Sequence, residues 1–104
     1  MASLFNGIPS ELPDELFETL CSAENVKIER IVSKGHVSPE GFWYDQDKHE
    51  FVLILKGSAG LRIEGNDDIV VLGAGDYINI EAHVKHRVEW TDTKGETIWL
   101  AVHY

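Results

Sequence analysis

A chain of 104 residues, 43% of them hydrophobic, lies in the size range of one domain that fills its own core. With 18 acidic against 9 basic side chains the net charge is -9, a field that repels phosphate backbones and anionic lipid and so argues against nucleic acid and membrane surfaces as partners. Apolar runs such as Phe51 to Leu55 fall far short of the roughly 20 residues of a spanning helix, the lone Cys21 cannot bridge within the chain, and the start does not resemble a secretion signal, so a cytoplasmic protein is expected.

Residues 1–25 read differently from the rest. Leu12, Leu16 and Leu20 recur four apart, Pro13 suits a first helical turn, and Glu11, Asp14 and Glu15 complement the positive end of a helix dipole. A short N-terminal helix is predicted there. From Val26 onward the chain becomes short β-prone runs punctuated by Gly, Asn and Asp. Strands are predicted over Val26 to Val32, Gly41 to Gln46, Glu50 to Lys56, Ala59 to Glu64, Asp68 to Leu72, Asp76 to Ile80, His86 to Trp90 and Thr97 to His103. Gly57 with Ser58, and Gly65 to Asp67, mark tight turns between them. Strands this closely spaced leave no room for helical crossovers, which predicts an all-β antiparallel sandwich or barrel over residues 26–104.

The run that begins at Glu50 is apolar in both phases, with Val52 and Ile54 on one face and Phe51, Leu53 and Leu55 on the other. Such a strand needs cover on its outer side, from the N-terminal helix, a second sheet or another subunit, and a homodimer is expected. Glu50 shares the phase of Val52 and Ile54, so its carboxylate points inward and needs a partner.

The histidines are His36, His49, His83, His86 and His103, and the carboxylates nearest them in sequence are Asp45, Asp47, Glu50 and Glu81. No G-x-S-x-G elbow, G-x-G-x-x-G turn or P-loop competes with them. His83 and His86 are three apart, a spacing at which a turn can aim both rings at one point, whereas His49, adjacent to Glu50 in a strand, faces the opposite way.

The string Glu50 to Gly57 resembles the end of the first motif of the cupin superfamily, where a glutamate pointing into the barrel is followed by a glycine that closes the hairpin. Gly75 and Asp76, then the strand to Ile80, a short loop and His86, resemble its second motif. The resemblance covers Val26 to Tyr104 and is to small single-domain cupins of the cupin-2 type. It implies a jelly-roll barrel, an antiparallel double-stranded β-helix, with Glu50 and His86 facing one another inside. Three features depart from the family pattern. Trp43 to Gln46 stand where metal-binding cupins carry a His-x-His pair, no proline precedes the Gly-Asp turn, and Trp90 replaces an asparagine that often ends the second motif.

The resemblance implies two roles for Glu50 and His86: an acid and base pair, or ligands of a divalent transition metal. Asp45 and His83 are the further donors within reach in sequence, and a nitrogen and oxygen set of this kind suits iron, manganese or zinc. Trp43, Tyr44, Gln46 and Trp90 are expected to line the barrel mouth and take a small organic ligand. The expected function is a small-molecule enzyme, metal-assisted or working by proton transfer, or else a non-catalytic ligand-sensing module. Fold and motif do not name the substrate.

Overall fold

A computed structural model describes residues 2–104. It contains eight strands: β1 (Leu16–Ala23), β2 (Val26–Ser33), β3 (Glu50–Lys56), β4 (Ser58–Ile63), β5 (Val70–Gly73), β6 (Tyr77–Ile80), β7 (His86–Thr91) and β8 (Thr97–His103). They form a five-stranded sheet ordered β1-β2-β8-β3-β6 and a three-stranded sheet ordered β5-β4-β7, with every pairing antiparallel. This is the expected all-β, jelly-roll architecture. Among the described residues no helix is long and apolar enough to cross a membrane.

The core lies between the sheets. Along β3, Val52 and Ile54 point inward; they meet Ala101 and Trp99 of β8 within their own sheet and Ala59, Leu61 and Val88 of the other. A fully enclosed side chain such as Ile54 contributes roughly 1.5–3 kcal/mol by leaving water. Inner-face alternation also selects the buried polar residues, since Glu29 shares the phase of Ile31, and His103 that of Ala101.

The predicted N-terminal helix does not form. Leu16 and Leu20 instead lie in β1, which pairs with β2 from Leu16 opposite Val32 to Ala23 opposite Val26. Positions four apart share a face in a strand as well as in a helix, and a register shift between Thr19 and Cys21 blurs the alternation that would have marked the strand. The chain before β1 crosses the outer face of the five-stranded sheet. There Arg30, only 5% exposed, donates to the carbonyls of Leu4 and Asn6 and pairs with Glu18, anchoring this segment beside the fully buried Val32.

A strand over Gly41 to Gln46 is likewise absent. Residues 34–49 run as a loop in which Tyr44 forms an isolated β-bridge with His86. Arg87 holds the loop from beneath, donating to the carbonyls of Ser38, Pro39 and Phe42.

Candidate functional site

The five-stranded sheet and β7 bring four ionisable side chains into one line. Glu50 opens β3 directly opposite His103 at the end of β8, and Glu29 of β2, opposite Ala101, lies diagonal to that histidine. His86 opens β7 in the facing sheet. His103 Nε2 is 2.7 Å from Glu29 Oε1 and 3.9 Å from Glu50 Oε2, while Glu50 Oε1 is 3.2 Å from His86 Nε2. His86 Nδ1 in turn is 3.1 Å from the Val84 carbonyl. All four residues are 6–8% exposed, so carboxylate and imidazole alternate across the barrel interior with little water between them.

Electrostatics favour charge separation along this line. Burial pushes the Glu29 carboxyl up, but the hydrogen bond and charge of His103 and the nearby Lys27 outweigh it and hold the group below its usual range. Glu29 is therefore an acceptor, and His103 Nε2 carries the donated proton. At His86 burial disfavours the imidazolium, yet the hydrogen bonds to Glu50 and to the Val84 carbonyl, with the Glu50 charge, raise its pKa above the ordinary value. Because the Val84 carbonyl can only accept, His86 Nδ1 is protonated, and one further proton lies between His86 Nε2 and Glu50 Oε1.

Glu29, Glu50 and His86 of this line form the floor of a cleft whose other walls include Phe17, Ile31, Tyr44, Gln46, Val52 and Trp99. Its floor leaves about 60 Å³ for small molecules, room for a few waters. The Tyr44 ring stacks on His86 with centroids 5.4 Å apart and planes 21° from parallel. Burial, and then the charges of Glu15, Glu50 and Glu29, push the Tyr44 hydroxyl pKa up. Gln46 Oε1 is buried without a hydrogen-bond partner among the described residues.

The structure brings together Glu50, His86, Tyr44 and Gln46 from the sequence-based set, and it places the others elsewhere. Asp45 and His83 pair with one another at 3.0 Å, 44% and 70% exposed, and neither lines the cleft. His83 takes a positive φ of 65° in the turn before β7, which directs its ring outward instead of beside His86. Trp43 lies 6.0 Å from the Arg87 guanidinium and is exposed. Trp90 leaves the phase of His86 and Val88 because the β4–β7 register shifts between Gly60 and Leu61, and its indole covers Gly60 on the outer side. His49 faces away, its Nδ1 accepting from the Ala82 amide and its ring against Tyr104.

Sequence reasoning missed Glu29 and His103. Glu29 shares a phase with Ile31 much as Glu50 does with Val52, the one signal that could have found it. His103 joins it only because β2 and β8 are neighbours, and strand order is not written in any local pattern. One oxygen each from Glu29 and Glu50 and one nitrogen of His103 lie within 4.8 Å of one another, a compact candidate metal cluster.

A family model for the cupin domain matches residues 30–103. A crystal structure from Ralstonia eutropha JMP134, described as a putative mannose-6-phosphate isomerase, is 46% identical with a TM-score of 0.96, covering 99% of this chain and 95% of that one. A cupin superfamily protein from Desulfitobacterium hafniense DCB-2 is 20% identical with a TM-score of 0.74, over 92% of this chain and 82% of its own. An RmlC-like cupin with a double-stranded β-helix fold from Methanocaldococcus jannaschii is 19% identical with a TM-score of 0.71, over 93% and 85%. Among curated proteins no match is found.

Proposed function

The chain belongs to the cupin domain family, and from that premise we propose that it acts on a small molecule in the cleft, with Glu50 and His86 as its acid and base pair. The observation that supports this best is the buried alternation of Glu29, His103, Glu50 and His86 beneath a largely apolar cleft. A proton held between Glu50 Oε1 and His86 Nε2 can be given to or taken from a ligand atom above it, which is the work of a general acid and base. Isomerisation needs that proton movement, so the name of the Ralstonia relative suits the pair. Its phosphate is not carried over, because among the described residues neither lysine nor arginine lines the cleft.

The residues present also fit a divalent transition metal. Two carboxylate oxygens and an imidazole nitrogen, from Glu29, Glu50 and His103, would hold iron, manganese or zinc and leave positions open. Such an ion would polarise a ligand oxygen. His103 Nε2 now donates to Glu29, so this proton must leave before the nitrogen can ligate. Metal uptake is expected to release protons, to weaken as pH falls, and to drop by about 10-fold or more in His103→Ala and Glu29→Gln. Equal metal content in both variants and wild type, measured by elemental analysis, would remove this assignment.

The function itself is tested by screening small hydroxy and carbonyl compounds for a rise in melting temperature. Compounds that stabilise the wild-type protein are expected to lose that effect in Glu50→Gln and His86→Asn. NMR in deuterated water then separates two outcomes: exchange at a carbon of the hit supports an enzyme, and binding without exchange supports a ligand-sensing module. Hits that stabilise both variants as strongly as wild type overturn the reading. The proposal retains a homodimer, supported by the half-buried Phe51, Leu53, Leu100 and Val102 on the outer sheet face beside the exposed Tyr77.

A further inference from the structure

The polar groups that face the cleft form a one-sided set. Glu15, Glu29 and Glu50 contribute three carboxylates. Glu29 and Glu50 each meet an imidazole, from His103 and His86, whereas the partner of Glu15 is a neutral group, the Ser33 hydroxyl, which donates to it. Even with both imidazoles protonated, these five groups sum to one negative charge; with both neutral they sum to three. The Lys27 ammonium is 46% exposed and lies 3.6 Å from Glu29, outside the lining.

Gln46 adds an independent observation. Its Oε1 is buried in the cleft wall with no donor among the described residues, and buried acceptors are almost always satisfied, so an N–H or O–H brought by a molecule in the cleft fits it. Phe17, Tyr44 and Trp99 line the same cleft, and aromatic rings attract cations through their π systems. The whole-chain charge of -9 also concentrates cations near the surface.

We propose that the cleft binds a small organic cation, a primary or secondary amine in its ammonium form. Its N–H donors meet Gln46 Oε1 and the carboxylates, and its carbons rest on Tyr44, Phe17 and Trp99. This rests on the reading of the cleft as the ligand site and adds the charge class of the ligand. The room of about 60 Å³ suits an ammonium head and a short chain. For a carboxylate or phosphate the described lining offers neither lysine nor arginine, and the charge of His86 already faces Glu50.

The test uses the full chain stripped of metal and four probes: propylammonium chloride, 1-propanol, sodium propionate and inorganic phosphate. Binding is followed by NMR shifts of the Trp99 indole N–H, which lies 3.1 Å from Ser33 Oγ at the cleft wall. Propylammonium is expected to bind about 10-fold or more tightly than propanol, with no saturable shift from propionate or phosphate. Gln46→Leu and Glu15→Gln are each expected to weaken the amine several-fold while unfolding at temperatures near that of wild type. Equal affinity for propanol, preferential binding of either anion, or no saturable binding of the amine overturns the proposal. If an anion or alcohol binds instead and loses affinity in Glu50→Gln, the cleft reading stands and only the charge class falls.

Discussion

Replacing Glu50 with alanine is expected to destabilise the barrel by about 3–5 kcal/mol, because it leaves the buried His86 ring without its counter-charge and removes one wall of the His103 site. For a chain of this size that is a fall in melting temperature of roughly 15 °C or more. Glu50→Gln keeps the shape and can donate to a neutral His86 Nε2, so it should lose far less stability while losing the proton that the pair shares. The two variants thereby separate folding from chemistry. They also differ from wild type with pH. The His86 pKa is raised on folding, so its contribution is complete below about 6.5, the ordinary value, and is lost as pH climbs through the raised one. Glu29, whose pKa is lowered, behaves as the mirror image: its contribution is complete above about 4.5 and is lost as pH falls through the depressed value. Thermal unfolding across the acidic to mildly alkaline range should show stability declining on both sides, with the alkaline decline flattened in Glu50→Gln. An unchanged alkaline decline in that variant would detach it from the His86–Glu50 pair.

Gly57→Ala is expected to be nearly as damaging, for a steric reason. Gly57 turns β3 into β4 at φ +84°, where an L side chain is strained by roughly 1–2 kcal/mol. An added Cβ would also lie 2.7 Å from the Glu96 carbonyl oxygen and 2.8 Å from Thr97 Cα, backbone atoms that cannot rotate away. Forcing them apart adds roughly 1–3 kcal/mol, and it would disturb the Thr97 hydroxyl that bonds Ser58 on both its amide and its carbonyl. Gly65→Ala is the internal control. Gly65 has almost the same φ, +88°, but nothing lies within 4 Å of its Cβ position, so strain alone should remain. Melting temperatures of the two variants should therefore differ by roughly 5 °C or more, with Gly57→Ala the lower. Equal losses would place the whole effect in backbone strain.

These two positions were both legible in the sequence, as the ends of one β-prone string from a carboxylate to a turn glycine. The bounds of β3 and β8 coincide with the sequence expectation, because both strands are central and apolar, and burial enforces a regular pattern there. The expectation failed at β1, an edge strand. Its side chains are mostly exposed, so solvent imposes no alternation, and leucines four apart fit a helix as well as a strand. It failed again over Gly41 to Gln46, where an aromatic string forms a loop held by backbone bonds. In the candidate site, Glu50 and His86 were found through their motifs and through inward phase. Asp45 and His83 were selected by proximity in sequence, Trp43 by its place in an aromatic string and Trp90 by its phase with His86, but a left-handed residue and a register shift turn His83 and Trp90 away. Glu29 and His103 lie 74 positions apart and meet only through the β2–β8 pairing.

The manner in which residues 34–49 are attached bears on how this protein could change its specificity. Tyr44 and His86 exchange both amide-to-carbonyl bonds, the His83 amide donates to the Gln46 carbonyl, and the Ser38 amide to that of Val88. None of these four bonds uses the side chain of Tyr44 or Gln46, the two loop residues that wall the cleft. The scaffold thus grips its variable wall by groups that every residue except proline shares. Tyr44 and Gln46 can be exchanged for other residues without releasing the strap, so recognition can be rewritten while the proton-bearing floor stays in place.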